Sequence, residues 1–218
     1  MSRSPFDPKF DDLRDILPIF PLPGALLLPG GRLPLNIFEP RYLNMVHDAV
    51  AGDRMIGMIQ PRAESDDPGG AETYRTGCAG RIVEFSESDD GRYLITLGGF
   101  IRFDVARELP LHRGYRRVEP DYRAYRGDLN DDTSKIDRAS LTEALRNYFE
   151  FAGIEGDWTA IDKSPDAFLV TSLAMVCPFD PREKQALLEV ASLADRAKTM
   201  TAILKMAVLD GGADAPRH

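Results

Sequence analysis

The chain has 218 residues, 43% of them hydrophobic and 28% charged, enough apolar side chain to build a core and too much for a wholly disordered polypeptide. Its formal net charge of −8 repels nucleic-acid phosphates and anionic lipid headgroups. The opening residues, MSRSPFDPKFDD, carry acids and prolines where a signal peptide needs an apolar stretch. No export signal is read there; a flexible arm over residues 1–15 and a cytoplasmic location are expected. The longest other apolar run, Phe168–Phe179, is too short to cross a bilayer, so no membrane segment is predicted. Cys78 and Cys177 lie far apart with no Cys-x-x-Cys spacing, which fits two buried thiols, a long-range disulfide being the alternative.

Residues 16–46, ILPIFPLPGALLLPGGRLPLNIFEPRYLNMV, interleave aliphatic runs with six prolines. Ile16–Phe20 and Ala25–Leu28 are too short for helices and are bounded by Pro and Gly, which predicts short bent strands. Gly30-Gly31 permits a turn, and Leu33, Leu35 and Ile37 then alternate with Pro34, Asn36 and Phe38, predicting a third strand. Proline cannot donate to a strand ladder, so Pro18, Pro21, Pro23, Pro29 and Pro34 belong at edges, bulges or strand ends. A small closed or nearly closed barrel meets that requirement better than a flat sandwich.

From Pro40 the period changes: Tyr42, Met45, Val46, Ala49 and Val50 recur at helical spacing, with Gly52 at the exit. Met55–Ile59 reads as a strand and 61–70 as an exposed loop. Arg81–Phe85 and Tyr93–Leu97 flank Ser88-Asp89-Asp90-Gly91 as a hairpin. Gly98-Gly99 predicts a sharp bend before Phe100–Val105 carries the sheet onward. Tyr115–Tyr125 is the last strand, with Val118 and Tyr122 on one face.

The composition breaks at residues 127–134, GDLNDDTS, dividing a β-rich part over 16–127 from a helical part over 133–210. One helix carries Leu141, Leu145, Tyr148, Phe149 and Ala152 and ends near Gly153. Ser164-Pro165-Asp166 reads as N-cap, first-turn proline and early acid of the next, which Pro178 stops. Asp180-Pro181-Arg182-Glu183 is a capping box, and Ser192 opens the last helix. Gly211-Gly212 is expected to end it, leaving a flexible tail over 211–218.

The chemistry search is largely negative. There is no G-x-x-x-x-G-K-[ST] phosphate loop and no G-x-S-x-G elbow. His47, His112 and His218 are scattered, and the Lys163-Ser164 and Ser134-Lys135 pairs fall at loops or caps. Asp11-Asp12, Asp66-Asp67, Asp89-Asp90 and Asp131-Asp132 fall in predicted loops, where neighbouring carboxylates are solvated. No catalytic residue, metal site or cofactor is predicted, and the chain is read as not an enzyme. One stretch points elsewhere: in HRGYRRVEPDYRAYR, residues 112–126, arginines interleave with tyrosines as in single-strand nucleic-acid platforms. Strand alternation sends Arg116 and Tyr122 to one face and Tyr115 and Arg117 to the other, which favours an outer strand. RNA binding stays as an alternative, and a small-molecule pocket as another.

The stretch LPIFPLPGALLLPGGRLPLNIFEPRY resembles the N-terminal signature of the Lon substrate-binding domain family, through Leu17, Pro18, Pro21, Leu22, Pro29, Gly30, Pro34, Leu35 and the Phe38–Tyr42 junction. YRTGCAGRIVEF at 74–85 and GRYLITLGGFIRFDV at 91–105 are similar to its second and third blocks, and CPFDPREKQALLE at 177–189 to the helical part of stand-alone members. The resemblance implies an α+β fold: a PUA-like β pseudo-barrel followed by an α-helical bundle. It also implies a non-catalytic module, without the ATPase and peptidase of a full Lon protease. Such a module binds exposed apolar segments of unfolded or partly unfolded proteins or peptides, with a protease or chaperone as a further partner. Phe20, Leu22, Leu26, Phe38, Arg41 and Tyr42 are the candidate contact residues.

Overall fold

The computed structural model describes residues 9–62, 70–130, 132 and 134–213. Its strands are β1 (Leu17–Pro21), β2 (Arg32–Ile37), β3 (Met55–Ile59), β4 (Thr76–Glu87), β5 (Tyr93–His112) and β6 (Tyr115–Asp121). The α-helices are α1 (Pro40–Ala51), between β2 and β3, then α2 (Arg138–Ala152), α3 (Trp158–Lys163), α4 (Asp166–Val176), α5 (Pro181–Glu189) and α6 (Leu193–Ala213). Short 3-10 turns cover Phe10–Asp12 and Arg123–Leu129, so the last strand stops at Asp121, before the predicted Tyr125. The strand order is β2-β5-β4-β3-β1-β6, and a further β5–β6 pairing closes five of the strands into a ring. β1 and β3 run parallel; the other pairs are antiparallel. The predicted pseudo-barrel followed by a helical part is the architecture observed.

The length of β5 makes this topology possible. Its first residues, Tyr93–Gly98, lie between β2 and β4, while Asp104–His112 pair with β6. β2 is therefore held outside the ring on the flank of β5. β5 also runs past the predicted end at Val105 to His112 and returns through Arg113-Gly114, whose φ angles are 49° and 88°. Two successive positive φ values give the turn the hand that matches strand twist. A non-glycine residue at the first of them is why the sequence pattern missed it.

Two expectations fail near Gly99. Ala25–Leu28 is irregular chain, not a strand, yet Leu26, Leu27 and Leu28 are buried. This segment crosses β5 so closely that a Cβ on Gly99 would lie 2.2 Å from the Leu28 carbonyl oxygen. Gly99 thus serves a close backbone approach, and β5 continues through Gly98-Gly99 with a register shift against β4 between Ala79 and Gly80.

Two clusters make the core. Leu17, Ile19, Ile59, Ile101, Phe103 and Val118 fill the ring. The larger cluster joins Phe20, Leu26, Ile37, Met45 and Leu97 of the β-rich part to Leu141, Leu145, Val170, Leu187 and Leu204 of the helices. Cys78 and Cys177 are both buried and free. Polar ties fix the helices in place. Arg102 grips Asp128 through Nη2–Oδ1 (2.7 Å) and Nε–Oδ2 (2.9 Å) and donates from Nη1 to the Leu188 and Val190 carbonyls. Gln60 Nε2 donates to the Pro181 carbonyl (2.9 Å), and Lys184 Nζ to that of Gly24 (2.7 Å).

α1 buries Tyr42, Met45, Val46 and Ala49, as the helical spacing requires. The α5 capping box is complete: Asp180 Oδ1 accepts from the Arg182 and Glu183 amides (2.7 and 2.8 Å), and Glu183 Oε2 accepts from the Asp180 amide (2.9 Å). Asp180→Ala is expected to lower stability by about 1 kcal/mol, measured by urea unfolding. Ser164, by contrast, is not an N-cap. It ends α3, a helix the sequence reading missed, and its Oγ donates to the Ala160 carbonyl (2.7 Å), while Pro165 takes the cap position of α4. α6 continues through Gly211-Gly212 to Ala213, past the predicted stop. His218, Asp66-Asp67, Asp131 and residues 1–8 of the predicted arm lie outside the described residues.

Candidate binding surface

Among the described residues β2 pairs with β5 alone. The register sets Leu33, Leu35 and Ile37 beside Leu97, Ile95 and Tyr93, facing the larger core, and Arg32, Pro34 and Asn36 beside Gly98, Thr96 and Leu94, facing outward. Backbone direction alternates in step: the Gly31 carbonyl accepts from the Gly99 amide at 2.9 Å, so residues 33, 35 and 37 bond to β5 and residues 32, 34 and 36 point to the free edge. Pro34 therefore occupies a position where its missing N–H costs no ladder bond.

The outward face mixes ion pairs with bare apolar groups. Glu84 pairs with Arg32 (3.2 Å) and accepts from Thr96 (2.7 Å). Phe38 is 60% exposed, with the Arg92 guanidinium 5.9 Å from its ring centre, and Leu94 and Val83 are nearly half exposed. At the other end of β2 the Met175 thioether lies against Gly31, where an added Cβ would be 2.3 Å from Sδ, and neighbouring Val176 is 81% exposed. Phe38 and Met175 thus flank the two ends of β2. Leu33 and Leu35 face the core yet are only half-buried.

Of the six candidate contact residues, Phe38 alone stands open. Phe20, Leu26 and Tyr42 are buried, with the Phe20 and Tyr42 rings 4.2 Å apart, so they carry the surface from beneath without forming it. Burial, above all, raises the pKa of the Tyr42 hydroxyl. Leu22 is half-buried against the core. Arg41 pairs with Glu39 at 2.9 Å and lies 4.7 Å from the centre of the Tyr42 ring, which occupies it structurally. Leu94, Val83 and Val176 are exposed too and are not among the candidates, because periodicity separates two faces of an element without telling which is covered.

The arginine-rich stretch forms no row of free cations. Arg113 pairs with Asp48, Arg116 with Glu108 and Arg123 with Asp121. Arg117 Nη2 reaches the Pro110 carbonyl at 3.4 Å, Arg126 lies over the Phe10 ring and Tyr115 is buried. The Asp48 cluster ties α1 to the β5–β6 turn: Tyr115 donates to Oδ2 (3.0 Å), His47 Nδ1 lies 3.3 Å from Oδ1 and Arg113 also reaches Asn44 (3.0 Å). Partial burial pushes the Asp48 carboxyl up, but hydrogen bonds from His47 and Tyr115 and the Arg113 guanidinium outweigh it, leaving the pKa below the usual value. Burial and then Asp48 push the Tyr115 hydroxyl up to about 12. A carboxylate with a depressed folded pKa stabilises above its unfolded value, near 3.9, and that contribution is lost as pH falls through the folded value. The Tm difference between the wild type and Asp48→Asn is therefore expected to be full above about pH 4 and to shrink in stronger acid.

No group of three or more His, Cys, Asp or Glu among the described residues could hold a metal ion, and no described helix is long and apolar enough to cross a membrane. The family profile described as the ATP-dependent protease La (LON) substrate-binding domain matches residues 16–206. The chain belongs to this family. Within it, Lon protease of Flavobacterium johnsoniae is 27% identical over 195 residues, 86% of this chain and 23% of that protein. Lon protease 2 of Myxococcus xanthus is 36% identical over 112 residues, 51% of this chain and 13% of that protein. The chain thus spans less than a quarter of the length of these Lon relatives. A crystal structure of a Lon N-terminal domain protein from Xanthomonas campestris superposes with a TM-score of 0.58 at 23% identity, covering 86% of this chain and 97% of that one. The N-terminal domain of Mycobacterium avium complex Lon protease gives 0.57 at 14% identity, covering 92% and 99%. At these identities the two structures establish the fold.

Proposed function

We propose that this chain is a non-catalytic, cytoplasmic binding module for exposed apolar segments of unfolded or partly unfolded proteins, working with a protease or chaperone that acts on what it holds. The family match, confined to a substrate-binding domain, supports a protein-binding role. The observation that carries the apolar preference is Phe38, bare beside a free strand edge with Leu94 and Val83 on the same sheet. Such surface gains about 25 cal/mol per Å² when covered.

The test is competition against a labelled, reduced and permanently unfolded model protein. Its unlabelled unfolded form is expected to compete and its native form not; equal competition by both overturns the proposal. Phe38→Glu is expected to weaken binding about tenfold. The residue is exposed, so its Tm should stay within about 2 °C of the wild type.

A further inference from the structure

We infer that the occupant enters as an added β-strand: an extended segment of another protein, antiparallel to β2, with apolar side chains at alternate positions. This rests on the binding role proposed above and specifies its geometry.

The free edge offers the carbonyls of Arg32, Pro34 and Asn36 but the N–H groups of Arg32 and Asn36 only, since Pro34 has none. An acceptor-rich edge selects a strand whose own amides face it, so the occupant has no proline at those positions. Residues of an added strand opposite Leu33 and Leu35 would lay their side chains on the core side. There both leucines are half-buried, and Met175 of α4, which lies against Gly31 at the start of β2, is likewise partly covered. Apolar groups at those alternate positions would complete the cover. β2 spans roughly 20 Å, and Phe38 and Met175 bound it at either end.

A second copy of the chain is the poorer occupant. Two-fold antiparallel pairing of β2 with itself sets Pro34 of each copy against an outward-facing residue of the other, so two ladder bonds are lost; a foreign strand loses one. Proline in an edge strand is a recognised device against self-pairing.

The test uses synthetic ten-residue Leu-Thr alternating peptides, read by fluorescence anisotropy. Leucine opposite Leu33 and Leu35 puts the threonine amides toward the edge. N-methylation of the threonine amides is expected to weaken binding about tenfold or more, and N-methylation of the leucine amides to change it less than about twofold. A peptide of equal composition with its leucines in one block should bind at least about tenfold more weakly. Equal loss from both methylation sets, or equal binding by the block peptide, overturns strand addition. If the unfolded model protein binds while no alternating peptide does, strand addition falls and the apolar reading stands; if neither binds, both fall. Sedimentation velocity should show a monomer, and a dimer that the peptide dissociates would assign the edge to a second copy and overturn the inference.

Discussion

Arg102→Ala is expected to lower the free energy of unfolding by about 3–5 kcal/mol, the usual cost of removing one partner from a buried ion pair. Arg102 lies on β5 with its guanidinium almost wholly enclosed, held by Asp128 on both carboxylate oxygens and 4.8 Å from the centre of the Tyr125 ring. Alanine would leave the Asp128 carboxylate buried without its cation and strand the Leu188 and Val190 carbonyls at the end of α5. A second guanidinium moderates the loss. Burial, and then the charge of Arg102, push the pKa of Arg196 down to about 10, so removing Arg102 relieves some repulsion. Urea unfolding measures the cost, and a loss below about 1 kcal/mol would show that the pair is dispensable. The double replacement Arg102→Met with Asp128→Leu should recover only part of the stability: it removes both charges of the pair, but the Leu188 and Val190 carbonyls still lack their donor and buried Arg196 loses the nearby Asp128 charge.

Gly99→Ala should cost about 2–4 kcal/mol by a different route, steric and not electrostatic. The new methyl would sit 2.2 Å from the Leu28 carbonyl oxygen and 2.9 Å from Leu27 Cγ. The obstacle is backbone, so no rotamer change relieves it; either β5 or the 25–28 segment must move, and Leu27 and Leu28 lose their packing. Gly127→Ala is the control: its added methyl meets nothing within 4 Å, and its effect should stay within about 0.5 kcal/mol. Equal melting temperatures for the two variants would refute the steric account.

These two residues mark where sequence reasoning ran out. Prolines announced a curved sheet because a missing N–H is a local property, and Pro34 does lie at an edge. Helical spacing announced α1 because Tyr42, Met45, Val46 and Ala49 repeat within one element. Leu26, Leu27 and Leu28 obey neither period: what buries three successive side chains is a crossing over Gly99, some seventy residues away in the chain. Arg102 read as an ordinary strand residue for the same reason, since Asp128 and α5 reach it only after folding. The candidate surface was half visible. Phe20 and Phe38 sit in the same proline-rich stretch, but one packs on Tyr42 and the other looks into water, because the layer covering one face ends before it reaches the other.

The larger hydrophobic cluster draws its members from both the barrel and the helices. The ring has a filling of its own, but the larger apolar cluster is sealed only when barrel and helices meet, so heat should melt the chain in a single cooperative step. For the same reason, a fragment cut near Leu129 would carry a raw greasy flank and should precipitate when expressed by itself.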